Sequence, residues 1–214
     1  TAKTVGRHAF EGTRYLKELP APKMAGSIFL DGSGMSSSVT LAPGTTAVAG
    51  GAFYGNVGLT SIELPDTVTY LGPGAFGGCS GLEETTLPPG VTNLEEGVFC
   101  HCTSLKSVRF QGESGRIARI HRRAFAGCPA LERVPSLQSC DCIGAMAFDG
   151  CVSLKQVEGL ETAVSGIAAD TVWGGLEIGD AAFRGTGFLD KKREKDPLVI
   201  LRTTVVCGSA CQGD

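Results

Sequence analysis

The chain has 214 residues, a formal net charge of −3, and 42% hydrophobic residues. This hydrophobic content excludes disorder along the whole chain, and the slight negative charge argues against a general nucleic-acid binder, whose surface is normally basic. No apolar run approaches the roughly 20 residues needed to cross a bilayer, and we identify no signal peptide.

A repeated Ala-Phe dipeptide organises the chain from its first residues onward. Six copies occur, and Val98-Phe99 is a seventh with one substitution. Successive phenylalanines are separated by 43, 23, 23, 26, 23 and 35 residues, so the repeat unit is 23 residues long. We place a degenerate coil around residues 29–30, three extra residues near 111–115 and twelve within 161–175. The phenylalanines of this column are Phe10, Phe53, Phe76, Phe99, Phe125, Phe148 and Phe183.

The same residue types recur at fixed offsets from each phenylalanine. A leucine lies six residues after all seven, and an aliphatic residue lies five residues before them. A glycine lies two residues after six of the seven, with His101 as the exception, and a small residue follows it. Four of those small residues are cysteines, which we call the cysteine ladder: Cys79, Cys102, Cys128 and Cys151.

Each unit is predicted to contain a strand, a turn and a second short extended segment. In the coil that follows Phe53 the strand begins at Leu59, with Ile62 and Leu64 also facing inward. A turn follows at Pro65, where proline and aspartate are typical turn residues. Because 23 residues are too few to bury their own apolar face, stacked units must share one continuous core.

These columns predict a repeat solenoid of mainly β structure, with turns and little helix. We expect a right-handed array of about seven to eight coils. Residues 1–45 form irregular N-terminal coils, residues 46–189 form the solenoid, and residues 190–214 form a C-terminal cap and tail. An apolar run at residues 198–201 is expected to pack on the last coil or on a partner.

The repeat resembles the BspA-like leucine-rich repeat, also called the Treponema pallidum type. Its unit is an aliphatic residue, then Gly-x-x-Ala-Phe-x-Gly-Cys-x-x-Leu, then an apolar strand and Leu-Pro-x-x-Val. Residues 71–82 and 143–154 match this unit most closely, and the resemblance covers roughly residues 5–189. It implies a curved solenoid that binds other macromolecules in adhesion or recognition, and it implies no catalytic residues.

The nine cysteines allow several interpretations. The cysteine ladder is most simply a column of small, weakly polar groups that meet backbone amides, with disulfides or a metal as alternatives. Residues 100–102 and 140–142 each contain two cysteines with one residue between them. A structural zinc site would need four ligands from two such pairs, but these pairs lie about two coils apart. Cys207 and Cys211 suit a disulfide in the tail or an anchor for a cap. We predict no metal site and no cofactor.

The sequence contains no recognisable set of catalytic residues. His8, His101 and His121 form no triad with a nucleophile and an acid. Residues 72–77 match Gly-x-Gly-x-x-Gly, but they belong to the repeat and do not join a strand to a helix. We therefore predict that the protein is not an enzyme.

The exposed side of the repeated strands, which we call the strand face, is the predicted partner-binding surface. Its outward positions lie eight and ten residues after each phenylalanine, and their charges run acidic, basic, then acidic. A rigid array presents such side chains at low ordering cost. The predicted residues are Ser61, Glu63, Glu84, Thr86, Ser107, Arg109, Arg133, Gln156 and Glu158, with Pro135 at a further outward position.

A second candidate surface is the basic segment 106–123, which has six lysines and arginines and a single acidic residue, Glu113. Such a segment suits an acidic partner, anionic lipid head groups or nucleic acid, or it is an ordinary solvated face. We call four of its residues the basic flank: Arg116, Arg119, Arg122 and Arg123.

Two functions are compatible with this sequence. The first is a non-catalytic protein–protein interaction scaffold, acting as an accessory or structural subunit of a larger assembly such as an organellar membrane complex. The alternative is a free-standing or cell-surface recognition or adhesion protein that binds a macromolecular ligand on the strand face. Unequal insertions and low charge favour the first. We expect protein partners, no nucleic acid, peripheral membrane contact at most, and an intracellular or organellar location, with the cell surface as the alternative.

Overall fold

The computed structural model describes residues 13–160 and 177–195. Two helices lie near the ends of this part, α1 at Arg14–Glu18 and α2 at Gly187–Lys195. The predictions for residues 1–12, for the insertion at 161–175 and for residues 198–211 lie outside it. The strands are β1 (Lys23–Ala25), β2 (Ile28–Asp31), β3 (Ser37–Thr40), β4 (Ala47–Val48), β5 (Leu59–Glu63), β6 (Tyr70–Leu71), β7 (Glu84–Leu87), β8 (Asn93–Leu94), β9 (Ser107–Phe110), β10 (Arg119–Ile120), β11 (Cys142–Ile143) and β12 (Glu177–Ile178).

The strands pair between successive coils and lie on two sides of a solenoid. On one side β3, β5, β7 and β9 form a parallel sheet, and Ser107 of β9 forms a further bridge with Arg133 of the next coil. The outer surface of this sheet is the strand face. The other side contains two sheets, in the orders β1-β2-β4-β6 and β8-β10-β11-β12. Of the described pairs, β1 with β2 is antiparallel and the others are parallel.

The solenoid predicted from sequence is confirmed, but with about five turns in the described residues and not seven to eight. These turns, entered at β2, β4, β6, β8 and β10, carry a strand or bridge on both sides. The turns entered at β11 and β12 pair on one side only within the described part. The predicted coil at Phe10 lies outside the described residues. Its leucine, Leu16, lies in α1 rather than at the start of a strand.

One core runs through all the coils. Seven phenylalanine rings stack along the solenoid, with neighbouring centroids 5.1–5.6 Å apart and ring planes within 7–13° of parallel. All seven are buried, and Phe29 fills the place predicted for the degenerate coil. Offset stacking at these distances is a favourable arrangement of aromatic rings. The stacked residues are Phe29, Phe53, Phe76, Phe99, Phe125, Phe148 and Phe183.

The glycine two residues after each phenylalanine lets the chain turn out of the core. The five described glycines at this position have φ between 66° and 75°, a left-handed conformation that glycine adopts without steric cost. His101, the exception in the sequence, adopts the same conformation with φ 58°. The bend is therefore set by the coil geometry even where glycine is absent.

Candidate protein-interaction surface

The strand face holds its side chains in register across adjacent coils. Ser61 of β5 pairs with Glu84 of β7, and Thr86 of β7 pairs with Arg109 of β9. Adjacent strands lie about 4.8 Å apart, so side chains at equal offsets form closely spaced rows. Eight of the nine predicted residues are exposed: Ser61, Glu63, Glu84, Thr86, Arg109, Arg133, Gln156 and Glu158.

The prediction that Ser107 faces solvent is wrong, because its relative exposure is 0%. Ser107 pairs with Glu84 on one side and bridges Arg133 on the other, and a short side chain between two long ones is shielded. Its hydroxyl oxygen has no hydrogen-bond partner among the described residues. Pro135 is also buried rather than outward, and no strand is formed at this position.

Two ion pairs cross the strand face between neighbouring coils. Lys106 Nζ lies 2.7 Å from Glu83 Oε2, and Arg109 Nη2 lies 2.6 Å from Glu84 Oε2. The hydrogen bond from Lys106 lowers the pKa of the Glu83 carboxyl. All four side chains are at least half exposed, so water screens the pairs and they orient side chains more than they stabilise the fold.

The residues Glu83 and Lys106 were not assigned to this surface from the sequence. Both are exposed and lie seven residues after their phenylalanines, one position before the predicted outward column. A signal was present, since opposite charges stand 23 residues apart at the same offset. Equal offsets in adjacent units become neighbours once the units stack.

The basic flank lies apart from the strand face. Arg119 belongs to β10 on the other side of the solenoid, where it pairs with Asn93 of β8 and Cys142 of β11. All four arginines of the flank are exposed. None of them forms an ion pair or a side-chain hydrogen bond with a residue in the described ranges. The strand face and the basic flank, both predicted from the sequence as candidate binding surfaces, are therefore separate in the structure.

The cysteine ladder is a structural feature of the core. Cys79 Sγ lies 3.1 Å from the carbonyl oxygen of Phe53, and Cys102 Sγ lies 3.0 Å from that of Phe76. Cys128 and Cys151 make the same contact with phenylalanines of earlier coils. All four are buried free thiols rather than disulfides. Across residues 13–160 and 177–195, no cluster of histidine, cysteine and acidic side chains is arranged to hold a metal ion.

This architecture, with short parallel strands on one side and columns of leucine and phenylalanine inside, defines a leucine-rich-repeat solenoid. The profile of the BspA type leucine-rich repeat region matches residues 46–168 in six copies. The chain therefore belongs to the BspA type leucine-rich repeat family, as its repeat predicted.

Three solved structures illustrate the similarity. A leucine-rich cell surface protein from Faecalibacterium prausnitzii A2-165 is 35% identical over 56% of this chain, with a TM-score of 0.52, and the chain spans 31% of its length. The T. pallidum leucine-rich repeat protein is 23% identical, with a TM-score of 0.51 and coverage of 78% and 86% of the two chains. The pneumococcal antigen PcpA is 16% identical, with a TM-score of 0.51 and coverage of 81% and 43%. The last two similarities establish the fold alone. No curated protein matches the chain significantly.

Proteins of this family are generally non-enzymatic scaffolds. Membership therefore suggests a role in protein interaction or surface recognition. The interpretation as an accessory subunit of an organellar complex has no support from these comparisons. Neither helix in the described residues has the length and apolar character that crossing a membrane requires.

Proposed function

We propose that this chain is a non-catalytic recognition module that binds a partner protein on the strand face. The observation that carries this proposal is the set of exposed charged rows on β5, β7 and β9, backed by one continuous core. Parallel pairing fixes the backbone beneath these rows, and the stacked rings fix the coils relative to one another. Little conformational freedom is lost when a partner binds such a surface, which favours association.

The order of charges on the strand face specifies the partner's surface. Glu63 and Glu84 lie on β5 and β7, and Arg109 and Arg133 follow on the next two coils. A matching partner presents basic groups opposite the first pair and acidic groups opposite the second. Charge complementarity of this kind mainly sets specificity and the association rate.

A role in recognition at a cell surface is the setting that we propose. The 35% identical structure from F. prausnitzii is that of a cell surface protein, which supports this setting over an organellar complex. In such a setting the partner is a protein on another cell or in the surrounding medium.

The test is a charge reversal in the basic rows of the strand face. Arg109→Glu combined with Arg133→Glu should weaken binding of the natural partner by about tenfold or more, because two complementary contacts become repulsive. The partner is first isolated by cross-linking in a native extract, and affinity is then measured by surface plasmon resonance. Lys17→Glu with Lys191→Glu gives the same net charge through two exposed lysines of the terminal helices α1 and α2, outside the paired strands β5, β7 and β9. Equal affinity of both double variants for the partner would overturn the proposal.

A further inference from the structure

We propose that the basic flank is a second binding site, independent of the strand face, for an extended acidic segment of a partner protein. The four arginines that form it are exposed on the coil that contains β10. The proposed recognition of a partner by the strand face does not use them, since Arg119 lies in β10 on the other side of the solenoid and the other three flank that strand in sequence.

The flank arginines form no close ion pair within the described part of the chain, although the hydrogen-bonding Arg184, together with Arg123, lowers the pKa of the nearby Asp149 carboxyl. Elsewhere Lys106, Arg109 and Arg184 each pair with a carboxylate of a neighbouring coil. Within residues 13–160 and 177–195 the flank arginines make no such close pair, and their exposed guanidinium groups are accessible to an external anion. A guanidinium group binds a carboxylate through two parallel hydrogen bonds, a geometry that lysine does not offer.

The backbone beneath the flank is held in place by both neighbouring coils. The carbonyl of Arg122 accepts a hydrogen bond from the N–H of Gly97 at 3.1 Å, and the N–H of Arg123 donates to the carbonyl of Ala145 at 3.0 Å. Arg119 is fixed in β10 by parallel pairing on both sides. From Arg119 to Arg123 the flank is therefore preorganised by its neighbouring coils and is not a mobile loop tip.

The ridge is long and narrow. Arg116, Arg119 and Arg122 are three residues apart, and three extended residues span at most about 10–11 Å, so the ridge is at most about 20 Å long and is shortened where the chain turns from residue 122. Across the coils its width is one strand spacing, about 4.8 Å. An extended peptide that follows the coil has matching dimensions.

Acidic residues border the ridge on both sides and select among anionic ligands. Glu95 and Glu96 follow β8 on the preceding coil, and Asp141 directly precedes β11 on the next coil. The N–H of Asp141 donates to the carbonyl of Ala118 at 2.8 Å, which places this acid beside the ridge. A flat anionic membrane, or a polyanion that crosses several coils, meets these carboxylates and is repelled. A single acidic segment parallel to the coil faces the arginines along its length and meets these carboxylates only at its edges.

The test uses the full chain and a fluorescein-labelled dodecapeptide of alternating glutamate and serine. We expect this peptide to bind at low ionic strength, as measured by fluorescence anisotropy, and to be released by salt because exposed charges are screened. Arg119→Glu with Arg122→Glu should reduce its affinity by about tenfold or more. Lys17→Glu with Lys191→Glu has the same net charge and should change the affinity less than about twofold.

Two further measurements separate this site from the alternatives. The strand-face variant Arg109→Glu with Arg133→Glu should retain the peptide affinity, so that failure of one surface does not imply failure of the other. Heparin and phosphatidylserine vesicles serve as competing polyanion and membrane probes. The proposal is overturned if the peptide does not bind, if both charge-matched variants lose affinity equally, or if either competing probe binds the flank more tightly than the peptide.

Discussion

At the scale of single residues, the position three residues after each phenylalanine illustrates why the repeat retains particular side chains. The ladder thiols donate to phenylalanine carbonyls of the preceding coil. At the same position Asn56 donates to the carbonyls of Gly32 and Met35, also in the preceding coil. Thr186 donates instead to Phe183 of its own coil. The column therefore requires a compact hydrogen-bond donor. Cysteine suits this buried position because its thiol is a weak donor on an otherwise small, hydrophobic side chain.

The buried ladder thiols should resist alkylation in the native protein. Burial raises the pKa of Cys79 to about 12 and that of Cys151 higher still, so almost no thiolate, the reactive form, exists at pH 8. A brief pulse of iodoacetamide at pH 8, followed by peptide mass mapping, should leave both residues unlabelled in buffer and labelled in urea. Native labelling of Cys79 at the rate of the unfolded chain would contradict this placement.

At the scale of elements, the phenylalanine stack joins coils whose strands are only two to five residues long. Such strands provide few hydrogen bonds themselves, and the coils are also joined by backbone hydrogen bonds between their turns, as from the N–H of Phe76 to the carbonyl of Val98. Buried side chains add a continuous apolar contact to these bonds. In the middle of the stack Phe76 has no exposed surface, and its ring contacts those of Phe53 and Phe99. The stack thus fixes the register of the strand face.

Replacing a central ring of this stack should be strongly destabilising. Phe76→Ala leaves a cavity between two aromatic neighbours and should lower the free energy of unfolding by roughly 3–5 kcal/mol. Val57→Ala, at an exposed valine, is the control and should stay within about 0.5 kcal/mol of the wild type. Urea unfolding followed by circular dichroism measures both values. A loss below about 0.5 kcal/mol for Phe76→Ala would refute the register derived from the repeat.

At the scale of the whole molecule, the solenoid separates two charged surfaces on opposite sides of one core. The strand face carries acidic, then basic, then acidic residues, whereas the basic flank is a single-coil ridge between coils that carry acidic residues. Because each coil contacts mainly its neighbours, surface charges vary from coil to coil without disturbing the columns inside. This arrangement allows one chain to contact two segments of a partner, or two partners, at once.

The interior was predictable from the sequence because every unit repeats it. Residues such as Leu59, Phe76 and Ile120 each occupy a column, and one register locates all of them in the core. The exposure of a strand-face residue depends instead on the side chains beside it in adjacent coils, which is why Ser107 was misplaced. The number of paired turns also depends on local strand formation, which the columns do not encode.

The central claim is that a partner protein binds the strand face, and site-specific photo-cross-linking tests it most directly. A benzophenone amino acid replaces either Thr86, exposed on β7, or Thr103, which is also exposed and lies in the turn after Phe99. Irradiation of the native complex should cross-link the partner through position 86 and not through position 103. Cross-linking through position 103 alone, or with equal yield at both positions, would contradict the claim.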